Sequence, residues 1–282
     1  MSLPQWIGVK PYDKESYLKT KSLLDECGLN TVCIEADCPN RYECFSNGTA
    51  TFIILGDTCT RNCLYCNIKK GIPKPVDKKE PERIASAVRK LNLKYVVVTC
   101  VTRDDLKDGG AGHFANTVKE IRKSNPNCRI ELLVSDFKGN WNALKKVLDA
   151  KPYAINHNIE VARELFPKLR PKGSYEISLE LLRKVKETNP GIITKSGFMV
   201  GVGETKSQII QTLKDLKKAG CDIVTIGQYL QPENSVFPVK KYYTKNEFKS
   251  IEKKAKEIGF KKVLAGPLVR SSYMAEKRGG II

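Results

Sequence analysis

The sequence predicts an α/β protein, a partial or full (β/α) barrel with short N- and C-terminal extensions, and three observations carry this. From about residue 51, short β-branched apolar runs alternate with longer amphipathic segments, the pattern of βα units laid on a parallel sheet. Six or so such units follow one another, and no GxGxxG follows the first strand, which points away from a dinucleotide fold. The 282 residues, 41% hydrophobic and 28% charged, suit one large domain with a sizeable core and exclude disorder and collagen-like architecture.

The predicted strands are Thr51–Gly56, Tyr95–Cys100, Arg129–Val134, Tyr153–Asn156, Thr194–Val202, Asp222–Gly227 and Lys262–Ala265. Between them, helical periodicity covers Pro81–Leu91, His113–Lys123, Tyr175–Thr188, Lys206–Ala219 and Lys245–Ile258. Pro81 suits a first helical turn, and Gly220 and Gly259 suit C-terminal caps. Residues 1–50 form an N-terminal extension, 51–265 the barrel and 266–282 a tail.

Forty-nine Lys plus Arg against thirty-one Asp plus Glu give a net charge of +18, a field that speeds encounter with acidic partners. The basic residues come as scattered pairs such as Lys69-Lys70 and Lys253-Lys254, so no nucleic-acid tail is visible. The first residues lack a basic stretch followed by an apolar one, and no apolar run reaches the length of a membrane span. The expectation is a cytoplasmic protein with reduced thiols.

Six of the ten cysteines fall within 34 residues as two triplets, Cys33-x4-Cys38-x5-Cys44 and Cys59-x3-Cys63-x2-Cys66. The second directly follows the first predicted strand, at the mouth where barrel active sites lie. Three close thiolates suit zinc or an iron–sulfur cluster. Zinc would want a fourth Cys or His, yet only His113 and His157 exist and neither is near a triplet in sequence. A cubane held by three cysteines leaves one iron open to a substrate or cofactor. Cys27, Cys100, Cys128 and Cys221 stand singly and read as small buried hydrophobes.

Cys-x3-Cys-x2-Cys with Tyr65 before its last cysteine resembles the radical S-adenosylmethionine (SAM) enzymes. The upstream triplet narrows the resemblance to the lipoyl synthase family. Gly48-Thr49-Ala50-Thr51-Phe52, Leu55-Gly56-Asp57-Thr58-Cys59-Thr60-Arg61, Val101-Thr102-Arg103-Asp104-Asp105-Leu106 with Asp108-Gly109-Gly110-Ala111, Asn156-His157-Asn158-Ile159-Glu160, Thr194-Lys195-Ser196-Gly197 through Glu204-Thr205, Thr225 to Pro232 and Gly266 to Tyr273 all agree, in order.

The resemblance implies that Cys59, Cys63 and Cys66 hold a SAM-cleaving [4Fe–4S] cluster. It implies that Cys33, Cys38 and Cys44 hold an auxiliary [4Fe–4S] cluster, whose fourth ligand is a serine of Arg270-Ser271-Ser272-Tyr273: Ser272, with Ser271 the near alternative. A serine oxygen is harder than a thiolate and leaves iron more readily when the cluster must open. Without the family, Ser271-Ser272 would read as a helix cap.

Gly109 and Gly110, after a strand, can bring backbone close to a ligand, and the resemblance places the SAM amino group there. Asn156, Asn158 and Glu160 alternate at a strand end, which would turn them to one face and His157 to the other. Asn158, Glu160 and Arg170 are candidate SAM contacts beside Tyr65. Lys195, Glu204, Gln228 and Arg270 are candidates for lining the mouth.

As the resemblance implies, the reaction replaces one hydrogen at C6 and one at C8 of a protein-bound octanoyl-lysine with sulfur. Two SAM molecules are consumed and the auxiliary cluster supplies the sulfur. Unactivated C–H bonds offer a base no acidity, so a carbon radical is required. The implied partners are an octanoylated lipoyl carrier (glycine cleavage H protein or the E2 lipoyl domain of a 2-oxoacid dehydrogenase), an electron donor such as flavodoxin or ferredoxin, and an iron–sulfur carrier for cluster repair. No membrane and no nucleic acid are expected.

Met274 and Glu233 stand where relatives carry histidine and serine, and the chain stops soon after, at Ile282, where a C-terminal extension is expected to be absent. A methylthiotransferase would need a separate cysteine-bearing domain and a nucleic-acid module, for which 34 residues leave no room. A nucleic-acid-binding metalloprotein would leave Asp104, Asp105 and Glu160 unexplained, since acidic groups repel phosphate. If the +18 charge steers an acidic carrier, turnover on intact carrier protein falls as salt rises, whereas turnover on a short neutral octanoyl-lysyl peptide hardly changes. Equal salt dependence of the two rates would remove the steering.

Overall fold

A computed structural model describes residues 4, 6–8, 11–233, 235–273 and 275, and its chain folds into two compact units. The N-terminal unit comprises residues 9–61, 67–154 and 272–282; the C-terminal unit comprises 1–8, 62–66 and 155–271.

The N-terminal unit opens with helix α1 (Lys14–Glu26), capped where Asp13 accepts from the Ser16 amide at 2.6 Å. Strand β1 (Asn30–Thr31) and short helices α2 (Val32–Glu35) and α3 (Arg41–Ser46) follow. Tyr17 stacks on Phe45, and Thr20 Oγ1 donates to the Phe45 carbonyl at 2.7 Å, seating α3 against α1. Then come β2 (Thr51–Ile54), the short strands β3 (Thr58–Cys59) and β4 (Lys69–Lys70), α4 (Glu80–Lys90), β5 (Tyr95–Cys100), α5 (Ala111–Ser124), β6 (Arg129–Leu133) and α6 (Trp141–Asp149). The sheet order is β1-β2-β5-β6, parallel except for β1. All of β2 is buried, as are Val96, Val97 and Val98 of β5, because α4, α5 and α6 lay Ile84, Val88, Phe114, Ile121 and Leu144 into the core.

In the C-terminal unit, β7 (Ala154–Asn156) begins the order β7-β8-β9-β10, with α7 (Phe166–Leu169), α8 (Tyr175–Thr188), β8 (Ile193–Val200), α9 (Lys206–Lys218), β9 (Ile223–Gln228), α10 (Lys245–Ile258) and β10 (Lys262–Gly266). β8 and β10 both run parallel to β9. Thr205 with Gln208 and Thr244 with Glu247 close capping boxes on α9 and α10, each worth about 1 kcal/mol. Neither set of strands closes on itself, so the α/β architecture is the open, partial form of the expected barrel. No helix among the described residues is long and apolar enough to cross a membrane.

Two expectations need correction. The strand expected over Thr51–Gly56 stops at Ile54, because Leu55 and Gly56 both turn left-handed at φ 71° and 92°. The alternation of Asn156, Asn158 and Glu160 ends with β7 at Asn156, and Glu160 has φ 69°. The described part of residues 1–50 holds α1, α2, α3 and the edge strand β1. The Met274 position lies outside the described residues.

Asp222 fastens β9 to β8 and α8. Its carboxylate accepts from the Thr194 amide and hydroxyl, both at 3.1 Å, from Lys186 at 2.6 Å and from Lys261 at 2.9 Å. Burial alone would raise this carboxyl, but Lys186, Lys261 and the Thr194 amide together outweigh it and hold it below its ordinary value of 3.8. A lowered folded-state value means stability that is present above 3.8 and lost as pH falls through the folded value. Urea denaturation is therefore expected to show Asp222→Asn less stable than the parent by about 1–3 kcal/mol at neutral pH. That gap should close in acid; one that persisted unchanged at pH ~2.5 would contradict the linkage.

Candidate active site

The first thiol of the second triplet is placed by the end of β2. Past the left-handed Leu55-Gly56 turn, Thr58 and Cys59 pair with Lys69 and Lys70, and the Gly71 amide donates to the Cys59 carbonyl at 3.0 Å. The Arg61 amide donates to Cys59 Sγ at 3.4 Å. Next along, Thr60 Oγ1 donates to the Thr102 carbonyl at 2.9 Å and accepts from the Asp104 amide at 3.1 Å.

Arg61 then turns inward. Its side chain, 2% exposed, makes two bonds of 2.6 Å to Asp136 and bonds of 2.9 and 3.0 Å to Asp104. Burial works against the guanidinium's charge, and the two carboxylates restore it. The segment carrying Cys59 is thereby tied to the loops after β5 and β6. Cys100, at the end of β5, has its thiol pushed up to about 12 by burial and then by the neighbouring Cys59.

The first triplet sits on the short helices. Cys33 lies in α2, Cys44 in α3, and Cys38 in the link, where its amide donates to the Cys33 carbonyl at 3.3 Å. Burial, and next Cys38, push the Cys33 thiol up to about 12. The tail reaches this helix pair: Tyr273 donates its hydroxyl to Glu43 Oε2 at 2.5 Å, one residue before Cys44, and Ser272 precedes Tyr273 in the chain.

In the C-terminal unit, Cys63 and Cys66 flank a turn closed by Cys66 N to the Cys63 carbonyl at 3.3 Å. Leu64 between them donates its amide to the Leu169 carbonyl at 3.0 Å and accepts from Ser235 Oγ at 2.8 Å. Around this turn the structure gathers Tyr65, Asn158, Glu160 and Arg170. Burial pushes the Tyr65 hydroxyl well up, helped by the Glu160 charge. Burial also raises the Glu160 carboxyl, opposed by Arg170, Asn158 and Arg270.

Arg170 is buried, lies over the Phe166 ring at 5.3 Å, and donates to the Asn158 carbonyl at 3.1 Å. Asn158 Nδ2 donates to Ser271 Oγ at 3.2 Å, while its buried Oδ1 has no hydrogen-bond partner. Gly197 leaves the room: a Cβ there would stand 2.3 Å from Thr225 Oγ1 and 3.1 Å from Asn158 Oδ1. A buried acceptor left unpaired costs about 1–3 kcal/mol, so this atom is poised for a donor on a ligand.

Gly109 and Gly110 lie in the loop leading to α5, with φ 57° and 89°. Of the other polar candidates, Glu204 is spent on the Gly201 and Val202 amides and Gln228 on the Tyr243 amide and Lys241 carbonyl. Both hold loops. Lys195 is buried in β8, and Arg270 donates to the Pro267 and Val269 carbonyls. His157 is buried, as a packing residue should be. Sequence reasoning missed Asp136, Glu80 and Ser235; Asp136 closely follows the end of β6, so the strand-end rule that found Asp104 could have found it.

None of the ten cysteines is in a disulfide bond. Among the described residues no three His, Cys, Asp or Glu side chains already form a metal site. The donor chemistry nonetheless fits iron–sulfur clusters: two sets of three thiols, one of them taking an amide N–H on sulfur. The unpaired Asn158 oxygen beside Glu160 and Arg170 fits a ligand bearing both donors and a carboxylate.

Residues 53–216 match the family model of the radical SAM superfamily. Among solved structures, methylornithine synthase superposes with a TM-score of 0.58 at 16% identity, covering 91% of this chain and 72% of that one. Streptococcus suis SuiB bound to S-adenosylmethionine gives 0.58 at 12%, covering 86% and 57%. The fold and the cysteine-bearing loop after its first long strand thus define a radical SAM protein. Lipoyl synthase of Caldicellulosiruptor saccharolyticus is 50% identical over 279 residues, 99% of this chain and 98% of that one. Lipoyl synthase of Halalkalibacterium halodurans is 50% identical over 98% and 91%. The chain belongs to the lipoyl synthase family.

Removing Asp136 would leave Arg61 buried and half-paired, so Asp136→Ala should destabilise the chain by about 3–5 kcal/mol. Asp104→Ala should cost less, because Asp104 is 14% exposed against 2% for Asp136. Denaturant midpoints of the two variants check the order; equal losses would deny Asp136 the larger share.

Proposed function

We propose that this chain inserts sulfur at C6 and C8 of an octanoyl chain carried on a lysine of a lipoyl-domain protein, a radical SAM sulfurtransferase reaction. The observation that carries it is the pair of cysteine triplets, kept within 34 residues in a chain about half identical to curated lipoyl synthases over nearly its whole length. When bound, one [4Fe–4S] cluster supplies the electron that cleaves SAM into the radical that removes hydrogen, and the other supplies the sulfur.

The chain's own residues divide the work. Cys59, Cys63 and Cys66 hold the first cluster. Arg61, fixed by Asp104 and Asp136, holds the Cys59 segment and keeps its amide on the sulfur. Gly109 and Gly110 present backbone to the SAM amino group. Asn158 offers its unpaired oxygen to a SAM donor, Arg170 offers charge to the SAM carboxylate and holds the Asn158 backbone, and Glu160 accepts from the ribose. Tyr65, between Cys63 and Cys66 in the turn and within reach of the Glu160 and Arg170 charges, lines the SAM pocket.

Cys33, Cys38 and Cys44 hold the auxiliary cluster within the extension 1–50, which precedes the barrel 51–265 and the tail 266–282 in the chain. Ser272 is its fourth ligand. Two contacts support this over Ser271: Ser271 is engaged by Asn158, and Tyr273, next to Ser272, is pinned to the helix of Cys44. A serine oxygen there would give the cluster a harder and more weakly held ligand than a fourth thiolate.

The carrier is the glycine cleavage H protein or the E2 lipoyl domain of a 2-oxoacid dehydrogenase. Flavodoxin or ferredoxin supplies electrons, an iron–sulfur carrier restores the auxiliary cluster, and the reaction proceeds in the cytoplasm.

The test is anaerobic incubation of reconstituted protein with SAM, reductant and an octanoyl-lysyl peptide, followed by mass spectrometry. The peptide should gain two sulfurs with matching 5′-deoxyadenosine; deoxyadenosine with an unchanged peptide would move the substrate elsewhere. Ser272→Ala should keep deoxyadenosine formation and lose most sulfur insertion, whereas Ser271→Ala should retain it. Reversed behaviour would exchange the two serines.

A further inference from the structure

Leu55 adopts a conformation that leucine avoids, φ 71°, and it does so fully buried. Three groups hold it. Its amide donates to Glu80 Oε2 at 2.8 Å, and its carbonyl accepts from Arg103 Nη1 at 3.1 Å. Its side chain fills the space over Gly110, where a Cβ would stand 2.2 Å from Leu55 Cδ1. Glu80 is itself buried, and the same oxygen lies 2.7 Å from His113 Nε2 on α5. Arg103 is buried too and balanced by Asp105 at 2.8 Å.

A carboxylate and a guanidinium are thus both taken out of water and aimed at the main chain of one residue, 25 and 48 residues away in sequence. Sheet formation does not call for this, since the pairing of β2 with β5 already ends at Ile54 and Cys100. Leu55 instead stands where two loops meet. Gly56 to Arg61 leaves it carrying Cys59, and the Asp108–Gly110 loop packs on its side chain.

We propose that Glu80, seated by His113, and Arg103 are positioning residues that lock Leu55 as a joint, fixing the Cys59 loop and the Gly109-Gly110 loop relative to each other. Freed of the clamp, Leu55 relaxes to negative φ. Gly56 to Cys59 then swings off its course, and Gly110 loses the surface it rests on. The inference rests on the proposed function for the meaning of the two loops. It adds a set of residues that touch neither cluster nor SAM yet decide whether both are held in register.

The test uses the full chain and reads more than activity. Hydrogen exchange on the protein without clusters comes first: Glu80→Ala should speed exchange of amides 55–61 by at least about tenfold and leave β6 unchanged. Next, in a Cys33→Ala/Cys38→Ala/Cys44→Ala background that retains only the first cluster, the Kd for SAM should rise by about tenfold in Glu80→Ala. Glu80→Gln keeps an oxygen for the Leu55 amide and should stay within about threefold on both readouts.

Leu55→Ala keeps both main-chain bonds and loses only the contact with Gly110. It should weaken SAM binding while exchange at 55–61 stays slow, and it carries the test if Glu80→Ala fails to fold. Unchanged exchange and SAM affinity in folded Glu80→Ala, or equal losses in Glu80→Gln, would overturn the joint. Failure of the parent protein to bind SAM would instead count against the proposed function, because the exchange experiment needs neither cluster nor SAM.

Discussion

The buried guanidinium of Arg61, two residues beyond Cys59, sets the terms for everything around it. In water a bidentate pair is worth little, but at 2% exposure the charge has nowhere else to go. Asp136 and Asp104 must therefore come to it, and they bring the loops after β6 and β5 with them. The strand ends of the N-terminal unit thereby converge on one side chain, and the Arg61 amide, held by the same turn, points at the Cys59 sulfur. A strong, directional interaction is used to place a backbone, and the backbone places a thiol.

Elsewhere the same logic recurs with weaker forces. Glu80 takes the amide and Arg103 the carbonyl of Leu55, Ser235 and Leu169 hold the Cys63–Cys66 turn through Leu64, and Tyr273 holds the tail to Glu43. Side chains that touch no ligand thus fix segments that would. Asn158 differs: its side-chain nitrogen and its carbonyl are used, its side-chain oxygen is buried without a partner, and Gly197 beside it stays small.

Much of this was legible in the sequence, for reasons that can be named. The strands and helices after residue 51 were readable because packing on a parallel sheet imposes both periods at once: β2 and β5 are continuous apolar runs, and α10 carries a cap at each end. The cysteine triplets were readable because their grouping has no packing explanation. The path through Asn158 and Glu160 was not. Its period-two look suggests a strand, but the Glu160 amide and carbonyl bond to Gly197 and Met199 of β8, and that partner turns the residue left-handed. Asp136 and Glu80 were missed because each acquires its role from a group 75 or 25 residues away, Arg61 in one case and the Leu55 amide in the other. α1 escaped because few of its residues are buried, leaving little apolar stripe to read.

The central claim, that one triplet holds a cluster spent as sulfur source while the other drives SAM cleavage, is tested most directly by isotope. The chain would be reconstituted with ³⁴S-sulfide, freed of excess, and given an octanoyl-lysyl peptide, SAM and reductant under single-turnover conditions in buffer containing only natural-abundance sulfide. The account predicts that both sulfurs in the product carry ³⁴S, and that variants lacking Cys33, Cys38 and Cys44 still form deoxyadenosine but no thiolated peptide. Product sulfur of natural abundance, or thiolation without the first triplet, would contradict it.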